Sequence, residues 1–252
     1  MRYQVSSSPI LSTNLAFPFP LYPRSYLKFA RDGEALESAL SWAWCCSGQR
    51  TRPILSARID RNSVPYEPAA VEAIYYAVNN GASVITASWT FAGTDSAHQA
   101  LKDAVNYAWS RNVMVVAAVP NRAESNFNNF VPARWYNVVS VGGTTSADKK
   151  ASFSSYGNPG IDVSAPADNI YSTTRTGGYA YGDGNSFAVP LVAGAIALMK
   201  KRYPSITSQQ IKDRLWNTAD KVGGYNYTSN PFCGGHSPQL GCGRLDAADA
   251  VR

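Results

Sequence analysis

Short apolar runs alternate with longer segments of helical period along this chain from residue 54 onward. Ile54–Ile59, Ser83–Ser88 and Val113–Ala118 are runs of β-branched and small apolar residues, which predicts buried strands. Val138–Val141 and Ile161–Val163 predict two further short strands. Pro68–Asn79 reads as a helix stopped by Gly81, and Ala97–Ser110 as a second. Ser186–Lys201 follows, another helix opens at Thr207, where Thr207 and Gln210 have capping-box spacing, and a last short one begins near Leu245. Strands that alternate with helices build a parallel sheet with both faces covered, so the predicted fold is three-layer α/β/α with a mainly parallel central sheet. In such sheets, sites gather beyond the carboxyl ends of strands, and Ser88 and Asn121 both follow predicted strand ends.

The run from Ser186 to Met199 contains no charged residue, so no face is marked for solvent and the helix is expected to be wrapped by protein. It is shorter than the ~20 residues that span a membrane. Pro190 falls in the first turns, where a missing N–H costs little. At the start, Gly184 permits a tight turn, Asn185 is placed to cap, and Ser186 lies among free N–H groups that carry partial positive charge. A serine nucleophile needs such a perch, but an ordinary capping serine on a core helix has the same surroundings.

Other segments decide between the two. Residues 184–194, Gly-Asn-Ser-Phe-Ala-Val-Pro-Leu-Val-Ala-Gly, resemble the nucleophile segment of subtilisin-like serine proteases, Gly-Thr-Ser-Met/Phe-Ala-x-Pro-His-Val-Ala-Gly. Residues 113–121, Val-Met-Val-Val-Ala-Ala-Val-Pro-Asn, are similar to the strand that ends in the family's Ala-Ala-Gly-Asn. Residues 135–166 resemble the stretch between oxyanion loop and nucleophile, and residues 70–90 the helix and strand leading to the substrate-binding Ser-Leu-Gly, here Ser88-Trp89-Thr90. The four blocks stand in the family's order and cover about residues 53–252. The resemblance implies peptide-bond hydrolysis with Ser186 as nucleophile and the oxyanion held by the Asn121 side-chain amide and the Ser186 backbone N–H. It implies a peptide or protein substrate that pairs as an added strand with Ser88-Trp89-Thr90, with Trp89, Ala118 and Val119 walling the pocket. Calcium is compatible with the family, although no cofactor or metal site is identified in this chain.

The departures bear on activity. The family's triad runs Asp, His, Ser along the chain. Nothing before residue 88 reads as Asp-Thr/Ser-Gly after an apolar strand or as His-Gly-Thr-His. The two histidines, His98 and His236, match neither triad position and read as surface residues. Leu191 stands where the family has histidine after the proline, and Pro120, which fixes φ and lacks a donor, replaces the glycine before Asn121. Without a base Ser186 is a weak nucleophile, so the chain as it stands is expected to be a very poor protease. A non-catalytic pseudoprotease or peptide-binding module is the alternative.

Composition fits one globular domain: 252 residues, 45% hydrophobic and 16% charged. The net charge of +6 is spread along the chain, with clusters only at Lys149-Lys150 and Lys200-Lys201-Arg202, which read as solvated faces and not as a nucleic-acid footprint. No membrane-spanning segment is read, and nothing in the chain speaks to oligomeric state. Of the four cysteines, adjacent Cys45 and Cys46 are ill placed to pair with each other, whereas a disulfide between Cys233 and Cys242 could close a short loop. That bridge and the sequon Asn226-Tyr227-Thr228 lean towards secretion, as does the family; prolines interrupt any signal-peptide core in residues 1–30.

Residues 1–52 read as an atypical segment ahead of an N-terminally incomplete peptidase domain at 53–252. Pro18, Pro20 and Pro23 predict little order before residue 30, and only Ala35–Trp44 has the apolar content of a docking helix. The codons of Trp44-Cys45-Cys46-Ser47-Gly48, moved forward one base, permit Gly-Val-Ala-Pro, the family's sequence at that point. Those of Ala30-Arg31-Asp32 likewise permit the start of His-Gly-Thr. An out-of-frame reading of the histidine segment over about residues 30–50, truncation and true divergence are the three origins left open. Loss of the segments that normally cover the sheet predicts an exposed apolar face and a chain prone to aggregate or to need a partner.

Overall fold

A computed structural model describes residues 26–30, 54–61, 64–158, 160–174 and 177–252. In chain order, strands β1 (Tyr26–Ala30) and β2 (Ile54–Arg58) are followed by a small hairpin of β3 (Asp60–Arg61) and β4 (Val64–Pro65). Helix α1 (Glu67–Asn79) leads to β5 (Val84–Ala87) and β6 (Phe91–Ala92), and α2 (Gln99–Ser110) to β7 (Met114–Ala118), β8 (Phe130–Val131) and β9 (Val138–Thr144). Then come β10 (Val163–Pro166), a hairpin of β11 (Ile170–Thr173) and β12 (Tyr179–Gly182), and helices α3 (Asn185–Arg202), α4 (Ser208–Thr218) and α5 (Ala247–Val251). The codon reading and the docking helix expected at Ala35–Trp44 fall on residues 31–53, outside those described.

Six strands form one parallel sheet in the order β10-β9-β7-β5-β1-β2. Alternation along β5, β7 and β9 divides their side chains between two cores. Ile85, Val115, Ala117 and Val138 face α1 and α2 through Ile74, Leu101 and Val105. Val84, Met114, Val116, Val139 and Val141 face α3 and α4 through Val192, Ile196, Ile211 and Leu215. The three-layer α/β/α prediction holds. Each fully buried valine, leucine or isoleucine contributes about 1.5–3 kcal/mol by leaving water, so this double burial is what holds the layers together.

Local signals act where the sequence placed them. Gly81 takes φ 78° and ends α1, a conformation that costs a residue with a Cβ. Thr207 and Gln210 form the reciprocal capping box at the start of α4. Cys233 and Cys242 are disulfide-bonded and buried. Among the described residues no helix is long and apolar enough to cross a membrane.

Four readings change. Tyr26–Ala30 is a strand paired on both sides, although the prolines before it suggested little order up to residue 30; the last of them is Pro23, so the strand itself is proline-free. The β11–β12 hairpin was not legible because its strands carry Tyr171, Tyr179 and Tyr181 on an exposed face and bury little. His98 is buried, not a surface residue, because Glu67 at the start of α1 supplies a carboxylate partner. Lys200 is likewise buried, its ammonium donating to the Asn112 carbonyl at 2.5 Å, while its neighbours Lys201 and Arg202 are exposed.

Candidate active site

Three loops meet at the carboxyl edge of the sheet. Ser88 follows β5, Val119-Pro120-Asn121 follow β7, and Gly182-Asp183-Gly184 lead from β12 into α3. Close approach of α3 depends on missing side chains in β9: a Cβ at Gly143 would lie 2.4 Å from Asn185 Oδ1 and 2.5 Å from the Ala167 Cβ.

Gly184 is the N-cap of α3, with φ 141° and ψ 151°, a conformation that L side chains rarely adopt. A Cβ there would also stand 3.0 Å from Asn121 Nδ2, so glycine lets the Asn121 amide lie against the start of the helix. Asn185 does not cap, because it is already the first helical residue. It acts instead as a clamp. Its backbone N–H donates to Asn121 Oδ1 at 3.0 Å, and its Nδ2 donates to the carbonyls of Val119 at 2.9 Å and Pro120 at 3.3 Å.

The bond from Asn185 N–H fixes the rotation of the Asn121 amide, since only its oxygen can accept. Its Nδ2 is left beside Gly184, and Asn121 is exposed. Pro120 costs this loop a donor, yet its carbonyl accepts from Ser155 N–H at 3.0 Å as well as from Asn185. Proline at this position is thus compatible with an ordered loop.

Ser186 is half-buried one residue into α3, where the helix dipole and free N–H groups favour negative charge. Its hydroxyl donates to the Ser88 carbonyl at 3.4 Å, and the Ser88 hydroxyl donates to the Ser186 carbonyl at 3.3 Å. Ser186, Ser88 and Asn121, distant in sequence, are therefore neighbours. Thr90 is half-buried beside them in sequence. Trp89 is 7% exposed, packs on Phe91 at 5.1 Å between ring centroids, and belongs to the core on the α1 and α2 side. Val119, 1% exposed, lies in that same core, and Ala118 in the opposite one.

Both histidines are committed to partners. His98 Nδ1 lies 2.6 Å from Glu67 Oε2 and Nε2 lies 3.1 Å from the Ala92 carbonyl, which pins β6 just beyond Thr90. His236 Nε2 lies 3.2 Å from the Ile161 carbonyl, and burial pushes its pKa below the ordinary histidine value. The Glu67 partner of His98 was missed in the sequence because the two residues are 31 apart, and only the packing of α1 against α2 joins them. No group of three or more histidine, cysteine or carboxylate side chains that could hold a metal occurs among the described residues.

The model of the subtilase family matches residues 51–235. Subtilisin BL of Lederbergia lenta is 42% identical over 155 residues, 62% of this chain and 55% of that protein. The thermophilic serine proteinase of Bacillus sp. (strain AK1) is 39% identical over 174 residues, 69% of this chain and 41% of that protein. The chain thus spans about half the length of these relatives or less. Among solved structures, a cold-adapted subtilisin-like serine proteinase superposes with a TM-score of 0.62 at 28% identity, covering 69% of this chain and 63% of that one. The prenylagaramide maturation protease PagA shares the fold, with a TM-score of 0.71 at 21% identity over 91% of this chain and 92% of that one. The family model covers well over half of the chain, and the parallel sheet with helices on both faces agrees with it: the chain belongs to the subtilase family.

Proposed function

We propose that this chain is a subtilisin-type serine endopeptidase domain whose site retains nucleophile and oxyanion hole but lacks its own base. Ser186 attacks a peptide carbonyl, and the developing oxyanion is held by Asn121 Nδ2 and the Ser186 backbone N–H. The observation that carries this reading is the Asn185 clamp, which turns the Asn121 amide so that its donor end is left beside the helix start. A peptide substrate adds as a strand along Ser88-Trp89-Thr90 through its backbone. The burial of Trp89 and Val119 favours a backbone role for these residues over side-chain contact with substrate.

The engagement of His98 with Glu67 and of His236 with Ile161 argues against either as base. In subtilisin itself, removal of the triad histidine costs about 10⁶ in kcat, and the oxyanion hole with binding retains about 10³–10⁴ over water; these are measured values for that enzyme. Turnover of an extended fluorogenic peptide by the purified chain tests the reading. Slow hydrolysis is expected, lowered about 10²–10³-fold in Asn121→Ala, the usual cost of one oxyanion donor, and changed little in Ser186→Ala, because a serine without its base adds little to this residual rate. Hydrolysis that is unchanged in Asn121→Ala refutes it. Peptide binding with no turnover supports the binding-module alternative.

A further inference from the structure

In an α-helix each carbonyl accepts from the N–H four residues on. Four residues after Ser186 stands Pro190, which has no N–H, so the Ser186 carbonyl lacks the donor that the regular α-helical pattern would supply. The Ser88 hydroxyl approaches this carbonyl at 3.3 Å, and the Ser186 hydroxyl in turn donates to the Ser88 carbonyl at 3.4 Å. Two bonds thus join the strand end that receives substrate to the residue proposed to attack it. Both are long, as hydrogen bonds in unliganded sites often are before substrate tightens them.

We propose that Ser88 is a positioning residue for Ser186, its hydroxyl replacing the backbone donor that Pro190 removes. Pro190 and Ser88 are therefore two halves of one device: the proline frees the carbonyl, and the serine uses it to tie the first turn of α3 to the end of β5. The helix start is then held from both sides, by Ser88 at the Ser186 carbonyl and by Asn121 at the Asn185 N–H. Its importance for chemistry rests on the reading of Ser186 as nucleophile; the tie itself does not.

A cycle of Ser88→Ala, Pro190→Ala and the double variant tests it. The measurements are the unfolding midpoint and the rate of fluorophosphonate attachment to Ser186 in folded protein. Ser88→Ala removes the hydroxyl donor of this carbonyl and is expected to lower the midpoint by about 2–6 °C. It should also slow attachment by about tenfold, whereas Ser88→Thr, which keeps the hydroxyl, recovers most of both. In the Pro190→Ala background residue 190 again carries an N–H, and adding Ser88→Ala should shift the midpoint by less than about 1 °C and the rate by less than about twofold. Equal effects of Ser88→Ala in both backgrounds overturn the proposal. If Ser186 labels in no variant, the nucleophile reading fails, while the midpoint cycle still decides whether Ser88 and Pro190 act together.

Discussion

Gly184 and Asn185 show how two side-chain choices set the candidate site. The glycine was legible in the sequence as a turn residue. Its second task, admitting the Asn121 amide, was not, since that depends on a residue 63 positions earlier. Asn185 was read as a cap because a short polar side chain at a helix start usually bonds its own backbone; here it faces inward and binds the carbonyls of Val119 and Pro120. Gly184→Ala is expected to destabilise the fold by about 1–3 kcal/mol, from strain at φ 141°, and to push Asn121 Nδ2 away from the helix start. Urea denaturation measures the first effect. The second appears as a loss of Ser186 labelling in folded protein.

At the level of elements, helices and central strands were legible because their signals are local: apolar runs, a capping box, a glycine stop. Ion pairs were not, because they join elements. Asp95, before α2, illustrates this. It accepts from Lys102 at 2.6 Å, from Trp135 Nε1 at 2.9 Å and from Arg134. These partners, Lys102 first and Trp135 next, hold its carboxyl far below the ordinary aspartate pKa. The unfolded chain therefore binds the proton more readily than the folded one. The stability that Asp95 adds is full above the unfolded value of about 3.9 and is lost as pH falls below it, towards the lower folded pKa. The Asp95 side chain is 43% exposed, so solvent screens part of this contribution. Asp95→Asn should lower the unfolding midpoint near neutral pH and flatten its fall below pH ~4, which thermal unfolding across a pH series measures.

For the whole molecule, the layering and the parallel sheet followed from strand–helix alternation, and the strand order, with β1 between β5 and β2, did not. A parallel strand is placed by its neighbours' free edges, not by its own sequence. The C-terminal part is tied down by its own cross-link: the Cys233–Cys242 loop carries Leu240, whose carbonyl accepts from Ser164 in β10, and Gly241, whose α-carbon packs on Ile161. Reduction should cost about 2–4 kcal/mol of unfolding free energy, typical of disulfides, and is measured by denaturation with and without reductant.

The central claim is that Ser186 sits in a formed oxyanion environment without a base drawn from the chain's two histidines. The rate at which a fluorophosphonate attaches to the purified chain, with the modified residue mapped by mass spectrometry, tests this most directly. The account predicts attachment at Ser186 alone, absent in Ser186→Ala, unchanged by His98→Gln or His236→Gln in folded protein, and orders of magnitude slower than for a triad subtilisin under the same conditions. Attachment as fast as in a triad enzyme, or its loss on replacing either histidine, would contradict it.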